Sequence, residues 1–241
     1  MLFYYMDQRI LKGYNLMVSD KLGEALNDAG WTNYSTYAFL VCSSAWFSDM
    51  LWASNMSVIM AEVGSEWDLS TTFRGLITTC FMIGMAFGSY LCGYFGDVYG
   101  RMYIFKKTPF ISVLGGIGQM LSVNFPMLLC FSAINGFGIG GEMVLGGTVW
   151  SEYCPPSKDW SMTVLATTWC LGCIFPNLLA VLFTVTGSGE IAMWRCVIAV
   201  SVGFMVFSAL FRLPLRETPR YLMDKGKFEQ LNEVLNKVVF K

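Results

Sequence analysis

The chain has 241 residues, a formal net charge of −1, 55% hydrophobic residues and 14% charged residues. With the apolar residues gathered into long blocks, that composition excludes a soluble domain and indicates a membrane protein. Histidine is absent, which removes the commonest general base and the commonest metal ligand.

A helix needs about 20 mostly apolar residues to cross a hydrocarbon core roughly 30 Å thick. Six blocks meet that need, so the sequence predicts an all-α membrane protein in three parts. An interfacial segment occupies 1–36, a six-helix transmembrane bundle 37–215, and an interfacial helix the stretch 216–241. In the first part, 19–30 (SDKLGEALNDAG) reads as a short amphipathic surface helix, with Ser19 as N-cap and Gly30 at its end. No basic region followed by an apolar run precedes residue 37, so no cleavable signal is expected.

The spans fall at 37–61, 73–96, 107–122, 127–150, 161–184 and 197–215, the third being the shortest. Asp49 lies at the centre of the first. In the second, Gly84 and Gly88 form a GxxxG whose row of small residues continues through Cys92 and Gly96, a pattern that lets helix backbones approach closely. The fourth contains GFGIGGEMVLGG. Its Glu142 lies about four residues, roughly 6 Å, to the inner side of the middle, and Asn135 and Ile139 share its face. Pro176 and Asn177 should break the hydrogen-bond ladder of the fifth span and leave a kink. After the last span, Phe228, Leu231, Leu235 and Val238 recur at steps of three and four between charges, an amphipathic surface helix.

All of the 16 Lys and Arg except Arg74 and Arg195 gather toward one side: in the N-terminal segment, in the second connection with Lys107 at its edge, in the fourth connection, or from Arg212 near the end of the last span onward. The positive-inside rule then places both termini in the cytoplasm, or in the matrix if the membrane is mitochondrial. The eight cysteines sit mostly in apolar blocks as small hydrophobic residues. Cys170 and Cys173 form a CxxC within the fifth span, read as packing because no second pair and no histidine accompanies it.

Ionisable groups inside a membrane are expensive and usually functional. No lysine or arginine is expected inside a span near Asp49 or Glu142. The two carboxyls are therefore either hydrated in a cavity or protonated, and the second state suits proton coupling. A neutral carboxyl hydrogen-bonded between helices is the plainer reading.

Three segments carry a resemblance. The connection after the second span reads GYFGDVYGR, with Gly93, Asp97, Gly100 and Arg101 spaced as in the loop signature of the major facilitator superfamily. RETPRYL, from Arg216, looks like the motif that follows the sixth helix in sugar and organic-ion porters. GFGIGG at 136–141 followed by SEYCP at 151–155 is similar to the fourth helix of those families, and AWFSD at 45–49 adds a likeness to synaptic-vesicle-protein-2-related transporters. Over residues 20–240 the chain resembles the N-terminal half of that fold.

The resemblance implies two six-helix halves rocking about a central cavity. Helices one and four would line the cavity, which puts Asp49, Asn135 and Glu142 on a substrate or proton path. It also makes Asp97, Arg101, Glu152, Glu217 and Arg220 an inner gate of pairing charges. Departures from the pattern stand at Trp52, Ser132, Val98, Met102 and Asp159, where the resembled transporters carry charges.

Two functions follow. One is a transporter moving a small solute or organic ion by alternating access with a partner half, either a second copy or another chain. The alternative is a non-transporting structural subunit of a larger membrane complex, such as a mitochondrial respiratory assembly. In either case the lipid bilayer is the solvent. Catalysis, cofactors, metals and nucleic acid are not expected, because there is no nucleotide loop, ligand cluster or continuous basic patch.

Overall fold

The computed structural model describes residues 23, 24, 27, 28, 30–187 and 192–239. Most of the amphipathic helix expected over 19–30 lies outside them; 23, 24, 27 and 28 are helical. The described residues form helices α1 (Asn33–Glu66), α2 (Thr71–Tyr99), α3 (Arg101–Phe105), α4 (Thr108–Met120), α5 (Phe125–Tyr153), α6 (Trp160–Thr186), α7 (Met193–Arg212), α8 (Pro219–Asp224) and α9 (Phe228–Val239), with one 3-10 turn at Pro156–Lys158. No strand occurs among them.

Each expected span coincides with one long helix, α1, α2, α4, α5, α6 or α7. By length and apolarity four of these are able to cross a membrane: α2, α5, α6 and α7. α1 has the length, with 34 residues, but carries Ser35, Ser48, Asp49, Ser54 and Asn55 on buried faces. It packs on α2, α5, α6 and α7, and a helix enclosed by protein need not be apolar all round. α4 has 13 residues, about 20 Å of rise. The last span ends at Arg212 rather than at 215.

Local sequence sets the helix starts. The Thr32 hydroxyl accepts from the Ser35 amide at 3.2 Å, and Asn124 Oδ1 from the Met127 amide at 3.0 Å, each satisfying a donor that the first turn leaves free. At the α2–α3 junction Gly100 takes φ +122°, a region open essentially to glycine. A Cβ there would also stand 2.6 Å from Glu217 Oε2.

α2 and α5 interlock through glycine on both sides. A Cβ at Gly84 would meet the Ala133 carbonyl oxygen at 2.1 Å and one at Gly88 the Phe137 oxygen at 2.0 Å. In return, a Cβ at Gly136 would meet the Phe81 oxygen and one at Gly140 the Met85 oxygen, each at 2.0 Å. The first half of the expected small-residue row, Gly84 and Gly88, is thus a backbone-to-backbone contact that fixes the height of Glu142, two residues past Gly140, while a Cβ at Gly96 further along would meet the Leu145 side chain. α6 runs on through Pro176 as one helix. Beside the missing proline donor, Ser54 Oγ at 3.0 Å and Asn177 Nδ2 at 2.7 Å both bond the Cys173 carbonyl.

The apolar core forms two clusters. One, toward the end with the basic connections, gathers Val41, Ala45, Phe105, Leu145, Val149, Trp150 and Leu165. The other holds Trp52, Met56, Ile59, Phe81, Ile139, Trp194 and Met205. Asp49, Glu142 and Arg212 lie between these clusters along α1, α5 and α7.

Candidate functional site

The layer between the two clusters is polar and closed to solvent. On α7, Ser201, Met205, Ser208 and Arg212 are buried at steps of four, three and four, one helix face. On α5, Asn135, Ile139 and Glu142 are fully buried, the shared face that their spacing predicts. Asp49 of α1 retains 5% exposure, while Glu142 and Arg212 have none.

Arg212 overturns the expectation that no basic side chain lies near the carboxylates. Its Nη2 donates to Glu142 Oε2 at 3.1 Å, and its Nη1 stands 2.9 Å from Glu142 Oε1. The latter is an ion-pair contact without hydrogen-bond alignment, since both atoms lack a bonded partner. Nη2 also donates to Ser208 Oγ at 2.9 Å, and Ser208 Oγ lies 2.8 Å from Ser44 Oγ on α1. The Phe105 ring lies beneath the guanidinium at 4.5 Å, a cation–π contact. In sequence Arg212 reads as part of the basic C-terminal segment. The Ser201–Ser208–Arg212 spacing on an apolar helix is the signal that it turns inward.

Asp49 faces the same group, within electrostatic reach of both Glu142 and Arg212. Neither of its oxygens has a hydrogen-bond partner. Asn135 belongs elsewhere: its Nδ2 donates to Gln119 Oε1 at 3.0 Å, and Gln119 Nε2 donates to Ser132 Oγ at 2.8 Å, a buried clamp between α4 and α5. Seven residues separate it from Glu142, about 10 Å along the helix. Trp52 is also buried; a Cβ at Gly116 of α4 would meet its ring at 2.6 Å.

The expected gate charges gather at the basic end. Arg101 pairs with Glu152, and its Nη2 lies 3.3 Å from Asp97 Oδ1. Glu217 Oε1 accepts from the Met102 amide at 2.8 Å, so it caps α3 instead of pairing with a guanidinium. Arg220 is an electrostatic neighbour of Glu152. Gly93 stands apart; a Cβ there would meet Val144 in ordinary contact at 3.6 Å. Arg216 pairs with Glu233 of α9, and Tyr153 donates to the Arg216 carbonyl at 2.7 Å. Lys106 Nζ donates to the Leu213 carbonyl at 2.8 Å. Burial holds this ammonium below its usual pKa, with Glu217 pulling upward and Arg216 adding to the depression. At the opposite end Arg74 bonds the Gly64 carbonyl at 2.8 Å and Arg195 the Ser122 carbonyl at 3.0 Å, so both basic residues there tie helix ends together.

A family model described as sugar (and other) transporter matches residues 4–239. The chain is 26% identical over 231 residues to MFS siderochrome iron transporter 1 of Ceriporiopsis subvermispora (strain B), covering 90% of this chain and 44% of that protein. It is 26% identical over 216 residues to synaptic vesicle 2-related protein of Rattus norvegicus, covering 89% of this chain and 38% of that protein. Among solved structures, the xylose transporter XylE from E. coli in a partially occluded inward-open conformation superimposes with a TM-score of 0.75 at 19% identity, covering 86% of this chain and 54% of that one. The chain spans less than half the length of these curated relatives. The likeness to the synaptic-vesicle-2-related group expected from AWFSD is among these matches. Nothing in them favours a non-transporting subunit.

Proposed function

Because the chain belongs to the sugar (and other) transporter family, within the major facilitator superfamily, we propose that it forms one six-helix half of a multi-pass solute carrier. With a second six-helix half it encloses a cavity that opens alternately to the two sides of the membrane. On this reading α1 and α4 span the membrane along with the four more apolar helices, and the basic end carrying both termini faces the cytoplasm or matrix. The solute is a small organic molecule or ion. Asp49 and Glu142 stand on its path or on that of a coupling proton, and Asp97, Arg101, Glu152 and Arg220 close the inner gate.

The observation that carries the reading is the buried charge layer of Asp49, Glu142 and Arg212 inside a bundle that matches the family almost from end to end. Charge so deep in a membrane helix bundle is costly and serves function by default. The test is uptake by the complex purified from its own membrane and reconstituted in liposomes, with candidate sugars and organic ions, with and without a proton gradient. Asp49→Asn is expected to abolish gradient-driven uptake while the protein remains folded. Uptake by Asp49→Asn equal to that of the unaltered protein would remove Asp49 from the path.

A further inference from the structure

The two basic side chains at the end away from the basic connections are held differently. Arg74 donates from Nε to the Leu69 carbonyl at 2.9 Å and from Nη2 to the Gly64 carbonyl at 2.8 Å. Arg195 donates only from Nη2, to the Ser122 carbonyl, and its Nε is buried without a partner. Among the described residues no carboxylate pairs with it. A guanidinium carries five donors in a fixed fork and stays charged. Half-buried without a counter-ion, such a cation is poorly compensated. The Trp194 ring, 4.9 Å from it, offsets only part of that cost.

Beside this cation a cleft of about 420 Å³ opens between the end of α4 and the start of α7, lined by Met120, Leu121, Val123, Arg195, Cys196 and Ala199. Arg195 is its one charged residue, and Leu121 and Val123 are exposed. One turn beyond Ala199 on the same face, Gly203 is exposed, and a Cβ there would meet nothing within 4 Å. The cleft therefore continues along α7 to mid-helix as a track free of bulky side chains. Because α7 is long and apolar enough to cross a membrane, this track faces hydrocarbon. Arg195, in the first turn of α7, stands at its mouth, at the level where long basic side chains meet lipid headgroups.

We propose that this cleft binds a phospholipid of the leaflet opposite the basic end, its phosphate on the Arg195 guanidinium and one acyl chain along α4 and α7 past Ala199 and Gly203. The phosphate diester accepts from the donors of the fork that Ser122 leaves free and supplies the counter-ion that the described residues lack. No carboxylate lines the cleft, so an ammonium headgroup finds no partner there and offsets the phosphate charge that Arg195 binds. Phosphatidylglycerol is thus favoured over phosphatidylcholine. The bound lipid bridges α4 and α7, which the bond from Arg195 to Ser122 already joins. The inference rests on the proposed transport reading only in setting α4 across the membrane; its test involves no uptake, so the two fail separately.

The experiment is photolabelling of the purified protein in phosphatidylcholine nanodiscs doped with phosphatidylglycerol that carries a diazirine in one acyl chain, the adducts being located by peptide mass spectrometry. Labelling should concentrate at residues 120–123 and 196–203. Arg195→Gln should lower it there by about tenfold and leave labelling of other lipid-facing segments unchanged. The phosphatidylcholine analogue should label these peptides more weakly, and glycerol phosphate, which has the phosphate without the chains, should not displace the label. Equal labelling by both lipids, or undiminished labelling of Arg195→Gln, would make the lipid ordinary solvent and overturn the proposal. Displacement by glycerol phosphate would overturn it in favour of a soluble phosphate ligand. Should Arg195→Gln fail to fold, Ala199→Trp decides, since it fills the cleft and leaves Arg195 in place. Labelling at 120–123 should then be lost, and its persistence would refute the site.

Discussion

Replacing Gly136 by alanine tests the interlock that fixes Glu142 in the bundle. The added Cβ would lie 2.0 Å from the Phe81 carbonyl oxygen, where ordinary contact begins at 3.4 Å. The obstacle is backbone, so α2 and α5 must part by about 1.4 Å, which weakens the close C–H···O and dispersion contacts along the seam. Overpacking of this kind costs about 1–3 kcal/mol. Helix propensity acts the other way, favouring alanine by up to about 1 kcal/mol. A net loss near 2 kcal/mol corresponds to a fall in Tm of about 4–8 °C for a chain of this size. The assay is thermal unfolding in detergent, with Gly203→Ala as the control because nothing lies within 4 Å of its added Cβ. Gly203→Ala should leave Tm unchanged or raise it. Equal behaviour of the two variants would refute the interlock.

Gln119→Leu leaves Asn135 and Ser132 without their buried partner and should cost about 1–3 kcal/mol, read as a lower midpoint in chemical unfolding. Gly100→Ala meets both a positive φ and Glu217; a loss of about 1–3 kcal/mol and a raised proteolysis rate at the α2–α3 junction are expected. The double variant Asp49→Asn with Glu142→Gln strips Arg212 of both counter-ions and should destabilise by about 3–5 kcal/mol, seen as a drop in Tm larger than either single change produces.

The helices themselves were legible, because apolar block length is a direct demand of the bilayer. GxxxG spacing disclosed the α2–α5 seam for a similar reason: period and residue size together determine a close approach. The first helix shows where hydropathy misleads, since its serines and Asp49 face protein and its polarity reports burial among helices. The inward turn of Arg212 is hidden in the sequence, because a basic residue at the end of the last span satisfies the positive-inside pattern equally well whether it faces water or the core. Only the face defined by Ser201, Met205 and Ser208 separates the two. Asn135 shares a face with Glu142, as its spacing requires, yet bonds to Gln119, because α4 crosses α5 at that height and a single-helix pattern carries no information about its neighbour. Glu217 was expected in a charge pair and instead caps α3, a role set by the turn at Gly100.

The most direct test of the account is the native mass and composition of the complex extracted gently from the membrane in which the protein resides. A compact particle built of two six-helix halves is the predicted result, and it would join the charge layer to a transport cavity. Co-migration with many unrelated subunits, with no second six-helix half among them, would contradict a transporting role and leave Asp49, Glu142 and Arg212 as a structural cluster.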